Sequence, residues 1–281
     1  MSIAVIGSIN IDIVFERDTV PSLGETANGQ HYTVNHGGKG ANQALLLKNQ
    51  YDDVRFLGAV GDDVFAGLAL ENLAYKRLST EHILKKKGPS GLALVELKDK
   101  DNAITVFPGA NGELSEADVD VFFEDNPDLE WVVTQLEIPY KTVEYLIDEA
   151  HRQGIKVILN PTPVKPLPAS LMDKCDYIVV NETEFANLYG NISKQKGIED
   201  SKGRLIVTLG EQGVMYYDGG EIFIEPASEV EVVDTTGAGD SFIAGFTAGL
   251  ALKKPIGHAV RQGIVLAART VACRGAQCTV E

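Results

Sequence analysis

A chain of 281 residues, 44% hydrophobic and 23% charged, has an ordinary globular composition that fits one large α/β domain or two smaller ones. Its formal charge of -15, from 40 acidic and 25 basic residues, disfavours long-range attraction to nucleic acid or an anionic membrane, so neither is expected as a partner. A site for a phosphorylated ligand stays open, because backbone N–H groups and a few cations make such sites whatever the global balance.

Residues 1–10 lack the basic and long apolar regions of a signal peptide, and no run of 18 apolar residues occurs; a cytoplasmic location is expected. Cys175, Cys273 and Cys278 form no framework spacing and read as reduced thiols. A Cys273/Cys278 metal pair would lack His or further Cys partners.

In chain order, residues 3–6 read as a strand, and residues 11–36 as antiparallel strands with turns. Residues 40–49 follow as a helix, 55–59 as a strand and 65–78 as a helix. Residues 89–107 make a second antiparallel excursion, with a hairpin through 98–102. Strand 131–135 precedes a helix over 140–153, where Val143, Leu146, Ile147 and Ala150 fit the 3.6-residue period and Gly154 supplies a stop. Strands at 156–159, 177–180 and 205–208 and helices at 241–252 and 258–274 complete the pattern. Continuously apolar strands suit a parallel sheet covered on both faces. The expected fold is therefore a three-layer α/β/α sandwich with a mostly parallel central sheet. The two excursions pair as a small accessory sheet or stand as unrelated surface hairpins.

Two glycine-rich segments carry the chemistry. In the first, an apolar strand ending at Asp234 leads through Thr-Thr-Gly-Ala-Gly to Asp240 and a helix. Gly237 and Gly239 allow close backbone approach, and the N–H groups of the helix start make an anion site. A carboxylate there is badly placed to bind phosphate but well placed to take a proton from an attacking hydroxyl. Asp is also a common helix cap, so the turn alone leaves Asp240 open to both roles. A dinucleotide fingerprint fails, because Phe242 stands at its third glycine and Arg261-Gln-Gly where an acidic residue should follow. A phosphate-binding Walker loop fails too: Lys39 precedes Gly40, and position 33 is not glycine.

The second segment is Asn35-His-Gly-Gly-Lys-Gly-Ala-Asn-Gln43, again glycines running into a helix, with Lys39, Asn42 and Gln43 suited to a polyol. It pairs with residues 7–12, where Asn10 and Asp12 alternate onto one side. Both should lie beyond the carboxyl ends of the strands, where open α/β sheets bind ligands. Turn chemistry is the plainer use of Asn10 and Asp12.

On these motifs the chain resembles the ribokinase family of sugar kinases. Gly37-Gly-Lys-Gly-Ala-Asn-Gln43 and Asp234-Thr-Thr-Gly-Ala-Gly-Asp240 match its two signatures. Gly24-Glu-Thr26, Pro108-Gly-Ala-Asn111, Gln135-Leu-Glu137, Asn160-Pro-Thr-Pro163, Asn181-Glu-Thr-Glu184 and Thr208-Leu-Gly210 fall in the expected order around them. The resemblance implies a single ribokinase-like domain over 1–281, with a β lid from about 11–36 and 89–107 that closes over the sugar and joins a homodimer. It implies ATP-dependent phosphorylation of the primary hydroxyl of a small sugar, D-ribose first. Deoxyribose, fructose, ketodeoxygluconate and nucleosides such as pseudouridine are the alternatives. A non-catalytic sugar- or nucleotide-binding regulator is disfavoured by the intact Asp240 and its glycines.

By position, the resemblance implies that Asn10, Asp12, Gly38, Lys39, Asn42 and Glu137 hold the sugar. Asp240 is then the base, and the N–H groups of Gly237, Ala238 and Gly239 stabilise the transferred group. Asn181, Thr208, Gly210, Glu211, Gly213 and Gly239 line the ATP site, and Glu184 holds Mg²⁺ through water. Potassium is expected near Asp234, Thr236, Thr270, Cys273, Gly275 and Thr279, mainly on backbone carbonyls. The chain departs from the family at Ile264, often polar near the adenine, and at Cys278, often proline. It is also short over 190–204, where a helix is expected to be reduced or absent, and it stops at Glu281, which should leave one nucleotide edge more open.

Overall fold

Alternate residues of the first strand face two separate cores. In the computed structural model, which describes residues 2–17, 19, 21–98 and 101–278, β1 (Ser2–Ile6) places Ile3 and Val5 in one core and Ala4 and Ile6 in the other. The chain then runs through β2 (Asn10–Arg17), β3 (Gly29–Gly37), α1 (Lys39–Lys48), β4 (Val54–Val60), α2 (Val64–Tyr75), β5 (Ile83–Lys85), β6 (Gly91–Lys98) and β7 (Asp101–Phe107). Next come α3 (Glu116–Asp125), β8 (Leu129–Gln135), α4 (Tyr140–Gln153), β9 (Lys156–Asn160), α5 (Ala169–Met172), β10 (Tyr177–Asn181), α6 (Glu182–Tyr189) and α7 (Lys194–Asp200). The chain finishes with β11 (Leu205–Thr208), β12 (Val214–Asp218), β13 (Glu221–Glu225), α8 (Ala238–Ala251) and α9 (Ile256–Val271).

The main sheet has the order β13-β12-β11-β10-β9-β8-β1-β4-β5. Its pairings are parallel from β5 to β11 and antiparallel through β12 and β13. Helices α1, α2, α8 and α9 contribute to the core on one face; α3 to α7 contribute to the other. This is the three-layer sandwich expected. The order reverses direction beside β1, between β4 and β8, and that reversal opens a crevice at the carboxyl ends of the strands.

A separate four-stranded sheet, β3-β2-β6-β7, is built from the two excursions. Each excursion is antiparallel within itself, but β2 and β6 join the two in parallel. The helix over 140–153 has the expected bounds because Gly154 closes it at φ 76°. In the short stretch 190–204, α7 survives as seven residues, with Ile198 buried in the core. Cys273 and Cys278 are joined as a disulfide, which corrects their reading as free thiols; the intervening loop turns back and brings the two together. Cys175 is free and buried. No described helix is long and apolar enough to cross a membrane.

Candidate active site

β1 leads into β2 through residues 7–9, and the start of α1 packs directly on that crossing. Gly38 makes this possible: its φ of +88° suits glycine, and a Cβ there would lie 2.7 Å from Asn10 N and 2.8 Å from Ser8 O. Ala41 N–H donates to Ser8 O at 2.9 Å, fixing the helix against the turn. Lys39 N–H then donates to Glu137 Oε2 at 3.0 Å, and Ser8 Oγ donates to the same oxygen. Asn10 Oδ1 accepts from Asn111 Nδ2 at 2.8 Å, while Asn111 also bonds both backbone groups of Ile9.

Asp12 lies two residues farther along β2, on the same side as Asn10. Burial, with the Glu137 charge adding to it, raises its pKa to about 6. Its Oδ1 is buried without a hydrogen-bond partner. A buried acceptor of that kind is costly unless a ligand hydroxyl fills it.

Across the crevice, α8 starts after Gly237, which sits in the left-handed region at φ 79° and contributes no side-chain cap. Asp240 does not cap the helix either. Its buried carboxylate accepts from Asn42 Nδ2 at 3.1 Å and from Gln43 Nε2 at 2.9 Å, so α1 and α8 meet at this group. The cap role left open by the motif is thereby removed. Ala238 N–H already donates to Thr235 O at 3.2 Å, so the unengaged donors of the turn, among the described residues, include Gly237 and Gly239. Lys39 is held charged: the Asp240 carboxylate raises its pKa against burial, helped by Glu137 and Glu184.

Two adjoining cavities continue from there. The smaller, of ≈ 220 Å³, is lined by Lys39, Asn181, Glu184, Thr208 and residues 237–240. The larger, of ≈ 710 Å³, is bounded by Gly210, Glu211, Gly213, Val232, Phe242, Ile264 and Val271. Thr208, Thr235, Ala238 and Gly239 border both. Asn181 caps α6, accepting from Glu184 N–H at 2.8 Å, and Glu184 in turn accepts from Asn181 N–H at 2.8 Å and Thr162 Oγ1 at 2.5 Å. Among the described residues no cluster of three or more acidic, His or Cys side chains forms a metal cage. A Mg²⁺ held by substrate phosphates and waters, with Glu184 outside them, fits this donor set.

The expected cation loop is only partly assembled from side chains. Asp234 Oδ1 accepts from Thr236 N–H and Oδ2 from Gly275 N–H, both at 2.9 Å. Burial would raise its pKa, but these bonds and the Arg274 charge hold it below the ordinary carboxylate value. The ionised carboxylate, both oxygens of which accept from backbone N–H groups, brings a negative charge to this loop. Thr270 Oγ1 turns inward to Ser241 Oγ at 2.7 Å, and Cys273 Sγ is taken by the disulfide, so these two would offer backbone only. Thr279 lies outside the described residues. The strand expected to end at Asp234 does not form. Val232 and Val233 are 58% and 53% exposed in a segment that has left the sheet edge, tied by Val233 N–H to Val271 O.

Three groups around this site, Ser8, Asn111 and Gln135, carry no role in the sequence reading, and Gln43 is placed there only among polar groups suited to a polyol. Ser8 and Asn111 brace the β1–β2 crossing; the spacing that would reveal them spans more than a hundred residues. Gln43 and Gln135 meet each other across α1 and β8, with Gln135 Nε2 donating to Gln43 Oε1 at 2.6 Å. The motifs Gly37–Gln43 and Gln135–Glu137 contain both, but nothing in either shows that they touch.

The family profile described as "pfkB family carbohydrate kinase" matches residues 1–281. The chain is 35% identical to ribokinase of Lactococcus lactis over 98% of its length and 92% of that protein. It is 34% identical to deoxyribokinase of Salmonella typhi, over 99% and 94%. The crystal structure of ribokinase from Thermotoga maritima superposes with a TM-score of 0.88 at 31% identity, over 100% of this chain and 96% of that one. Ribokinase of Arabidopsis thaliana, complexed with ribose and ATP, superposes with a TM-score of 0.86 at 27% identity, over 98% and 94%. With both signature turns in place at the carboxyl edge of its sheet, the chain belongs to the pfkB family of carbohydrate kinases.

Proposed function

We propose that this chain transfers the γ-phosphoryl group of ATP to the primary hydroxyl of D-ribose, giving D-ribose 5-phosphate and ADP. The observation that carries the reading is Asp240: a buried carboxylate beside an open glycine turn, aimed by two amides rather than spent on a cap. Asp240 takes the hydroxyl proton as the ribose oxygen bonds to the γ-phosphorus, and the bond to the β-phosphate oxygen breaks. The turn's N–H groups, Gly237 and Gly239 above all, meet the charge on the transferred group. Losing one such donor typically costs about 3 kcal/mol of transition-state stabilisation. Lys39 adds a fixed positive charge beside it.

Asn10, Asp12, Gly38, Asn42 and Glu137 hold the sugar. Asn181 and Thr208 flank the phosphates, and Gly210, Glu211 and Gly213 border the base and ribose of the nucleotide. Mg²⁺ bound with ATP would neutralise charge on the phosphates, and Glu184 would help to hold it through water. Potassium at the Asp234 loop would hold the glycine turn in shape. A homodimer through the lid is supported by Tyr32, Val34 and Phe107, 73%, 45% and 48% exposed on the lid face away from Asp12.

Deoxyribose is the second reading, since relatives of both names stand at nearly equal identity. The unpartnered Asp12 oxygen favours ribose, whose additional hydroxyl supplies one more donor. A coupled ADP-release assay over ribose, deoxyribose, fructose and nucleosides, with potassium or sodium, tests this. The highest kcat/KM is expected with ribose and potassium; a higher value with deoxyribose would replace the proposed acceptor.

A further inference from the structure

Asp240 is held at both ends, but its two holders are not equivalent. Asn42 is 7% exposed and belongs to the proposed sugar ligands. Gln43 is 1% exposed, and its amide nitrogen donates to Asp240 Oδ1 at 2.9 Å and lies 3.5 Å from Asn160 Oδ1. When ribose draws on the Asn42 amide, Gln43 is the remaining fixed bond to the carboxylate. We infer that Gln43 is a positioning residue, locking the Asp240 carboxylate through its Oδ1 so that Oδ2 faces the sugar hydroxyl. This rests on the reading of Asp240 as the base.

The amide is aimed by its own partner. Gln135 Nε2 donates to Gln43 Oε1, so the Gln43 NH₂ group must point the other way, at Asp240. Packing gives no reason for the pair. Gln43 is followed in α1 by Ala44, Leu45, Leu46 and Leu47, all buried, and an apolar residue would suit its place. Gln135 is fully buried, and its Oε1 has no partner, a loss that normally destabilises a fold. A buried amide relay that leaves one acceptor unsatisfied costs stability, and its outward end is the catalytic carboxylate. That is where such a cost is retained.

The test is a kinetic cycle of Gln43→Met, Asp240→Asn and the double variant, each first checked for fold by circular dichroism. Gln43→Met is expected to lower kcat by roughly 10–100-fold, the effect of a misplaced reacting group, with the KM of ribose and of ATP within about threefold of normal. In the Asp240→Asn background the same change should cost nothing further, within about twofold, because its route to the reaction through Asp240 has gone. Multiplying losses in the double variant, or an unchanged kcat in the single one, would overturn the inference. Should Gln43→Met not fold, Gln135→Met enters the same cycle, with a smaller loss expected that also vanishes beside Asp240→Asn. Near-normal turnover of Asp240→Asn itself sinks the base reading. A dead Asp240→Asn with independent Gln43 and Gln135 effects sinks the positioning inference alone.

Discussion

The two ends of the crevice are built on opposite principles. At the proposed sugar end, Asn10, Asn42, Asn111, Gln135 and Asp240 are all buried, and hydrogen bonds tie Asn111 to β2, and α1 to β8, to Glu137 beyond it and to α8. At the nucleotide end, Asn181, Gly210 and Glu211 are exposed, and the larger cavity is walled by Val232, Phe242, Ile264, Ala267 and Val271. Fixed polar groups reject a ligand that lacks the matching hydroxyl by large factors, because the rejected ligand leaves them unpaired. Apolar walls reward burial but discriminate weakly. On the proposed function, a chain built this way would be exacting about its acceptor and tolerant about the base of its donor.

The strongest way to break that contrast is at its centre. Asp240→Asn is expected to lower kcat by roughly 10²–10⁴-fold while ribose binding, measured by calorimetry, changes little. A large loss of binding instead would make Asp240 chiefly a sugar ligand. Asp12→Ala should raise the KM of ribose by roughly 10–100-fold, the worth of hydrogen bonds to a charged group, and leave the KM of ATP alone. If both constants moved together, the division between the two ends would be wrong.

The same carboxylate gives the sugar end a pH signature. With its pKa raised to about 6 by burial and Glu137, Asp12 loses its charge as pH falls through that value. The KM of ribose should then climb by about tenfold between pH 7 and pH 5. The stability effect has the opposite sense. The folded chain binds this proton more tightly than the unfolded one, so the contribution is full below about pH 4 and lost as pH rises through 6. Asp12→Asn should accordingly melt higher than wild type at pH 7–8, by up to about 3 kcal/mol, with no gain at pH 4. Equal melting points across that range would show that Asp12 is not buried as an anion. The smallest effect belongs to the nucleotide end: Ile264→Ala is expected to raise the KM of ATP by roughly 3–10-fold with kcat unchanged.

Much of the frame could be read from residues alone, for a physical reason. Ile3, Val5, Ala4 and Ile6 are buried on both faces, so strands of this kind appear as unbroken apolar runs. Val143, Leu146, Ile147 and Ala150 repeat with the helical period and stop at Gly154. Val232 misled because a β-branched residue serves a cavity wall as readily as a strand. Asp240 was ambiguous for a similar reason, since Asp at a helix start has two common uses. What separated them was the approach of Asn42 and Gln43 from another helix nearly two hundred residues away. Contacts of that span leave no local pattern, so Gln135 and Asn111 are silent in the chain order and Gln43 shows there as a polar residue without its partners.

One feature of the lid changes how its motion should be understood. Asn10 opens β2, Asp12 sits two residues into it, and both pair across to β3 at Gly37 and Asn35. The proposed sugar ligands therefore stand at the root of the lid, on the strand that would have to swing, and not on the floor beneath it. If the small sheet moves as a lid, opening and letting go would be a single movement. A residence time for the phosphorylated product would then measure the stiffness of that hinge, and a lid pinned shut would be a trap as well as a shield.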